Sequence, residues 1–289
     1  MSKRIPALTP IQIDKAQVMA NLPERPRDSH KGMFGTVAVI GGASGMVGAP
    51  LLAARAALKM GAGCVHVGLV AENALKVDLL QPELMLHSAS DALLHSNVDV
   101  IAIGCGMGHD MAAQKLLHDA LNSDAALVLD ADALNILALR PDLRTLLLSR
   151  KNMTVLTPHP GEAARLLACE IKEVLADRVA AVQQLAQKFG CSMVLKGADS
   201  LCITREGRLF VNQTGNPGMS AAGMGDVLTG MIAAFIAQGM SADDALLLAV
   251  HLHGAAGDAL AQQKATIGMT ATEVTDWARW LLNQWASKS

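Results

Sequence analysis

No tyrosine occurs in the chain, and three tryptophans and four phenylalanines complete its aromatic set, leaving little with which to stack exposed bases. Net charge is nearly as scarce. Lys plus Arg number 24 against 26 Asp plus Glu, a balance of −2 over 289 residues, so there is no basic footprint for a polyanion or a membrane surface. The five cysteines (Cys64, Cys105, Cys169, Cys191, Cys202) are odd in number, scattered and never spaced C-x-x-C. Neither a disulfide framework nor a thiolate zinc site is indicated. No run of about 18 apolar residues exists, and Met1–Gln17 has basic residues but no apolar h-region. Nothing directs export or anchoring, and a cytoplasmic location is expected.

What is present is apolar. Hydrophobic residues make up 51% of the chain and charged ones 17%, which excludes disorder and fits a globular protein. A chain of this length buries roughly three quarters of its unfolded surface and needs no stapling. Residues 1–35 mix Pro6, Pro10, Pro23 and Pro26 with the charged stretch Glu24–Lys31 and read as an N-terminal helix and loop. Beyond them, continuous apolar runs recur at 36–40, 64–70, 98–103, 126–129, 153–156 and 192–195, with helical stretches such as 49–60 and 111–121 between them. Continuous runs indicate strands buried on both faces, and the helices supply parallel crossovers. The expected fold is a doubly wound, mostly parallel α/β sheet. A hairpin at 201–204 and 208–212 should add an antiparallel edge, followed by helices near 226–238, 242–262 and 270–286. Trp277, Trp280, Leu281 and Trp285 form one apolar stripe on the last helix, suited to docking on the core or to a subunit interface. No repeat or linker divides the chain, so residues 1–289 are expected to form one domain with 1–35 as an extension.

In such sheets ligands bind at the carboxyl ends of the strands. The first strand ends in Gly41-Gly42-Ala43-Ser44-Gly45-Met46-Val47-Gly48-Ala49, a glycine-rich turn that is either an anion contact or merely tight; it is not G-x-G-x-x-G and lacks a P-loop lysine. The third ends in Gly104-Cys105-Gly106. The fourth ends in Asp130-Ala131-Asp132, where Asp132 suits a helix cap and Asp130 suits structural or catalytic work equally. Next comes Thr157-Pro158-His159-Pro160-Gly161-Glu162, whose prolines present His159 rigidly. Glu162 suits either a first helical turn or a water-mediated metal contact. The sixth run ends in Lys196-Gly197-Ala198-Asp199-Ser200, a cation and small polar groups that suit phosphate or ribose, or a solvated turn. The strongest feature is Gly223-Met224-Gly225-Asp226 before an apolar helix. Its glycines bare helix N-terminal amides while Asp226 stands in the first turn, placing an anion hole beside a carboxylate base. An Asp that only capped the helix would not need so many glycines. His251 and His253 read as packing or partly exposed residues, and no covalent nucleophile setting occurs.

Taken together these residues resemble the ribokinase-like superfamily and, within it, the ADP/ATP-dependent NAD(P)H-hydrate dehydratases. The resemblance rests on His30-Lys31-Gly32, Phe34-Gly35, Gly48-Ala49, Gly104-Cys105-Gly106, Leu129–Leu134, the T-P-H-P-G-E run, Val194-Leu195-Lys196-Gly197, Gly215-Asn216 and G-M-G-D, in order over about residues 28–260. Ala222 departs from it, since related sequences often have a further glycine there. The resemblance implies ADP- or ATP-dependent, Mg²⁺-assisted dehydration of the S form of NADH hydrate or NADPH hydrate. It assigns Asp226 as catalytic base, Gly223, Met224 and Gly225 to the anion hole, and Ala49, Gly106, His159 and Asp226 to the hydrate. Lys196, Gly197, Ala198, Asp199, Ser200 and Gly225 fall to the nucleotide, and Glu162 to magnesium through water. It further implies a homo-oligomer, a tetramer in that family, and action beside a separate epimerase, for which 35 residues before the first strand leave no room here. A small-alcohol kinase of vitamin metabolism and a non-catalytic nucleotide sensor are the competing readings.

Overall fold

The computed structural model describes residues 8–264 and 266–287. Among them lie ten strands: β1 Ile11–Gln12, β2 Thr36–Gly41, β3 Cys64–Leu69, β4 Met85–Ser88, β5 Val100–Ile103, β6 Ala126–Leu129, β7 Thr154–Leu156, β8 Ser192–Leu195, β9 Ser200–Ile203 and β10 Leu209–Asn212. They form one sheet in the order β1-β10-β9-β8-β7-β6-β5-β2-β3-β4. Every pairing from β8 across to β4 is parallel, while β9 runs against both neighbours. The expected hairpin is therefore β9–β10. It is not the last edge, because Ile11 and Gln12 pair in parallel with Phe210 and Val211.

Both faces of the sheet are covered, as continuous apolar strands require. In β2, Val37 and Val39 point into one core layer while Ala38 and Ile40 point into the other. The first layer lies under helices Gly48–Lys59, Met224–Ala237, Ala242–Gln263 and Ala271–Ala286. The second lies under Met111–Asn122, Ala131–Leu139, Pro160–Leu167 and Arg178–Phe189. Side-chain oxygens of Asp110, Asp177 and Ser241 cap three of these helices by accepting from Ala113 N, Ala180 N and Asp244 N, which satisfies amides that the helix leaves unpaired. On the last helix Trp277, Leu281 and Trp285 pack against the first core, whereas Trp280 stays half exposed, edge-on to Trp277. Arg25 ties the N-terminal segment down: its guanidinium lies 3.9 Å from the Phe34 ring and donates to Gly61 O and Gln238 Oε1.

The chain leaves β2 for β3 on one side and returns to β5 on the other, so the sheet has its switch point between β2 and β5. Helix Met224–Ala237 crosses close to helix Gly48–Lys59 because Gly230 has no side chain; a Cβ there would run into the carbonyl of Ala53. Gly230→Ala should force these helices apart and lower stability by about 1–3 kcal/mol, the usual cost of overpacking. A melting temperature equal to that of the parent protein would contradict the close crossing.

Candidate active site

The carboxyl ends of β6, β7 and β8 and the N-terminus of helix Met224–Ala237 enclose a cleft of about 710 Å³. Its walls include His159, Glu162, Lys196, Gly197, Ala198, Asp199, Ser200, Met224, Gly225 and Asp226, segments that the sequence places far apart. Asp130, Asn216 and His253 complete the floor and rim.

Charge is concentrated at the floor. Asp130 is 2% exposed; its Oδ1 accepts from Lys196 Nζ at 2.7 Å and its Oδ2 from Thr229 Oγ1 at 2.8 Å. Lys196 Nζ also lies 4.0 Å from Glu162 Oε2. Burial works against the Lys196 charge, but Asp130 and Glu162 outweigh it and leave the ammonium above its ordinary pKa. The cation expected to face phosphate or ribose, or a solvated turn, is thus already paired with a buried carboxylate. Asp130 occupies the cap position of helix Ala131–Leu139 yet makes no cap bond with its side chain. Asp132 does not cap either. It accepts from Gly108 N at 2.8 Å and faces His109 Nε2 at 3.1 Å, fastening the loop after β5.

His159 caps helix Pro160–Leu167. Its Nδ1 accepts from Gly161 N at 2.9 Å, which assigns the proton to Nε2. Glu162, the third residue of the helix, accepts from His159 N through Oε2 at 2.8 Å while Oε1 lies 3.3 Å from His159 Nε2. The two residues make a reciprocal capping box. Burial raises the Glu162 pKa against the pull of Lys196, and burial followed by the Lys196 charge holds His159 below the usual imidazole range. The Lys196–Ser200 loop has its own clamp: Arg178 donates to the carbonyls of Leu195, Lys196 and Ala198.

Asp226 sits in the first turn of its helix, behind Gly223 in a left-handed conformation at φ 88°. A side chain at Gly223 would press on Leu52 and Ala271, and one at Gly225 would come within 3.2 Å of Lys196 Nζ. These glycines therefore let the helix end approach both the opposite helix and the Lys196–Asp130 pair. Burial pushes Asp226 up to about 6; the thiol of Cys105, donating to the carboxylate, holds the rise back, and the Asp130 charge adds to it. Cys105 is fully buried and its own pKa is raised by burial and then by Asp226 and Asp130. Donor atoms of Cys105, Asp130 and Asp226 lie within 4.8 Å of one another.

Ala49 and Gly106 are not part of the cleft lining. A Cβ on Gly106 would come 3.4 Å from that of Ala49, so the two residues meet. Backbone bonds join their loops, from Gly42 N to Cys105 O at 3.0 Å and from Ala43 N to Gly106 O at 2.7 Å. Cys105 then links this pair of glycine loops to Asp226. Sequence reasoning overlooked Cys105, Thr229 and His253. The first stands inside the Gly104-Cys105-Gly106 run, where nothing local sets its thiol beside Asp226, but Thr229 stands three residues after Asp226 and shares its helix face. His253 lines the cleft with Nε2 enclosed and without a hydrogen-bond partner among the described residues, its pKa pulled down to about 4 by burial and then by Lys196. His251 is a packing residue, with Nδ1 at 3.2 Å from Asn212 Oδ1. Gly215 N and Asn216 Nδ2 both donate to Asp258, which anchors the far rim.

The sheet order and the glycine-capped helix carrying an acid at its head define a ribokinase-like α/β protein. A solved protein of that superfamily from Enterococcus faecalis shares the fold with a TM-score of 0.83 at 28% identity. The family model described as NAD(P)H-hydrate dehydratase matches residues 37–279, and the chain belongs to that family. An ADP-dependent (S)-NAD(P)H-hydrate dehydratase of Neisseria meningitidis is 42% identical over 265 residues, covering 90% of this chain and 89% of that one. The Bacillus subtilis ADP/ATP-dependent NAD(P)H-hydrate dehydratase, co-crystallized with ATP and Mg²⁺, has a TM-score of 0.85 at 28% identity over 96% of this chain and all of that one. A bifunctional NAD(P)H-hydrate repair enzyme of Escherichia coli is 40% identical, but its match spans only 50% of that protein.

A carboxylate accepts a proton only when ionised, so a step in which Asp226 serves as base should slow as pH drops through about 6. Cys105→Ala removes a donor that favours the ionised form, so the acid limb of the kcat/KM profile should move to higher pH, while Cys105→Ser should restore it. A limb in the same place for Cys105→Ala would remove the thiol from the base's environment.

Proposed function

We propose that the chain catalyses nucleotide-dependent dehydration of the S form of NADH hydrate and NADPH hydrate, restoring the dihydronicotinamide. The observation that carries this reading is Asp226, a half-buried carboxylate with raised pKa beside bare helix amides at the head of the cleft. Membership of the dehydratase family and the names of the Neisseria and Bacillus relatives support it. Some superfamily members phosphorylate small alcohols, and a hydroxyethylthiazole kinase at 19% identity shares the fold alone.

In this reaction Asp226 takes the proton of the C6 hydroxyl as that oxygen attacks the terminal phosphoryl group of ADP or ATP. The new O–P bond forms while the bond to the leaving nucleotide breaks, giving AMP from ADP. Amides of Gly223, Met224 and Gly225 meet the charge on the transferred group. Phosphate then departs with the C6–O bond electrons, assisted by the ring nitrogen, and loss of a C5 proton closes the double bond. His159 and the Ala49–Gly106 contact are assigned to the hydrate, and Lys196, Gly197, Ala198, Asp199, Ser200 and Gly225 to the nucleotide. Magnesium, when bound, neutralises phosphate charge. Each oxygen of Glu162 and of Asp130 already has a protein partner, and the sulfur of Cys105 is a poor donor for so hard an ion. Such a donor set would leave the ion to the nucleotide phosphates, and Glu162 would hold it only through water. A homo-oligomer, a cytoplasmic location and a separate epimerase as companion belong to the same reading; among the described residues no helix is long and apolar enough to cross a membrane.

Incubation with NADH hydrate, Mg²⁺ and either ADP or ATP should restore dihydronicotinamide absorbance with parallel release of phosphate. A stable phosphorylated small molecule as end product would favour the kinase reading, and recovery without nucleotide would end the proposal. Asp226→Asn should slow turnover by about 10² to 10⁴ at a melting temperature no lower than the parent's, since it removes a charge that burial disfavours. Near-normal turnover in that variant would make Asp226 a structural residue.

Lys196→Ala tests the floor of the cleft. Removing one partner of a buried ion pair strands the other, at a typical cost of about 3–5 kcal/mol, so both melting temperature and ADP affinity should fall. Calorimetric affinity equal to that of the parent protein would place Lys196 outside the nucleotide site.

A further inference from the structure

At the opposite end of the sheet from the cleft, three imidazoles come together. His66 belongs to β3, His87 to the adjoining edge strand β4, and His95 to the segment just after helix Ala89–Leu93. His66 Nδ1 lies 3.0 Å from His87 Nε2. The ring centroids are separated by 4.0 Å for His66 and His95, 5.1 Å for His66 and His87, and 6.2 Å for His87 and His95. Three imidazoles bound at 2.0–2.1 Å in a tetrahedral arrangement have centroids about 5 Å apart; the His66–His87 pair already has that spacing, while His95 lies too close to the first and too far from the second and has to shift.

The surroundings suit metal ligation as well. Nδ1 of His95 bonds to the carbonyl oxygen of Ser96 at 2.8 Å; this places its proton on Nδ1 and leaves Nε2 with a free lone pair, the arrangement by which second-shell carbonyls orient metal-bound histidines. His66 is 5% exposed, and burial, followed by the His95 and His87 charges, keeps it neutral down to about pH 4, so it is in its ligating form at neutral pH. His87 is half-buried and His95 exposed, which gives an ion a path from solvent. Neutral imidazoles select borderline ions over Mg²⁺ or Ca²⁺. Nothing in the dehydration uses these residues.

We propose that His66, His87 and His95 form a binding site for one borderline divalent transition-metal ion, of the zinc, cobalt or nickel type, that clips β3, β4 and the 95 turn together. A swing of the exposed His95 side chain brings Nε2, the nitrogen left free by the Ser96 carbonyl, onto the ion, while the proton between His66 and His87 moves to the other ring nitrogen of its own imidazole, so that all three ligands bind neutral.

The test is titration of the chelator-stripped full chain with Co²⁺, read by visible absorbance, then displacement by Zn²⁺. One Co²⁺ per chain with an absorption band of a low-coordinate nitrogen-ligated ion is expected, together with a melting temperature raised by Zn²⁺. His87→Gln and His95→Gln, at accessible positions, should each weaken binding by about tenfold or more, and the pair together should abolish both band and thermal shift. Dehydratase activity with Mg²⁺ should persist in each variant, which shows that the chain is folded. Absence of stoichiometric Co²⁺ and Zn²⁺ binding by the parent chain, or undiminished binding in either single variant, overturns the proposal.

Discussion

Lys196 Nζ and Asp130 Oδ1, 2.7 Å apart at the base of the cleft, hold together strand ends that are 66 residues apart in sequence. A carboxylate buried this deeply survives only if its charge is matched and its oxygens are bonded, and Lys196 and Thr229 do both. The consequences reach outward from there. The pair fixes the position of the helix that supplies Thr229, hence of Asp226 three residues earlier on the same helix. It also sets the electrostatics around the cleft, since Lys196 opposes the rise of Glu162, lowers His159 and His253, and restrains Asp226. One cation, shared among several acids, keeps a site rich in carboxylates from repelling itself.

That arrangement explains two of the glycines better than loop flexibility does. Gly225 is small because an ammonium group stands where its side chain would reach, and Gly223 because the helix start turns left-handed against Leu52. Both conditions bring amides close to a position that faces Lys196 and Asp226. Anion binding by a helix N-terminus costs least when its donors are already aimed and cannot relax. Here packing on one side and an ion pair on the other remove that freedom.

Much of this was legible in the chain. The continuous apolar runs of β6 and β8 appear in the structure with the same limits as in the sequence reading, because strands buried on both faces carry their burial in composition. β1 and β4 were not legible: two residues carry no period, and Met85-Leu86-His87-Ser88 at a sheet edge is too polar to read as a buried strand. The strand-end motifs were visible, yet their partners were not. Nothing local announces that Lys196 bonds Asp130, that Asp132 serves a loop instead of a helix, or that Cys105 lies under Asp226. His251 and His253 looked equivalent, and only packing separates them: one is locked to Asn212, the other opens on the cleft.

The raised pKa of Asp226 also bears on why a phosphoryl-transfer fold suits a dehydration. A hydroxide is a poor leaving group, and expelling water directly would demand a strong acid next to C6. The cleft instead holds a carboxylate, bare helix amides and a cation, which on the proposed reading are the groups that convert a hydroxyl to a phosphate ester. Once the ester exists, the ring nitrogen of the hydrate supplies the electrons that expel phosphate, so the protein has no need of a second catalytic acid. The substrate's own nitrogen turns a kinase-like first step into elimination, and an alcohol without such a nitrogen would stop at the ester. On the proposed reading the same residues therefore serve either outcome, and the molecule bound beside Asp226 decides between them.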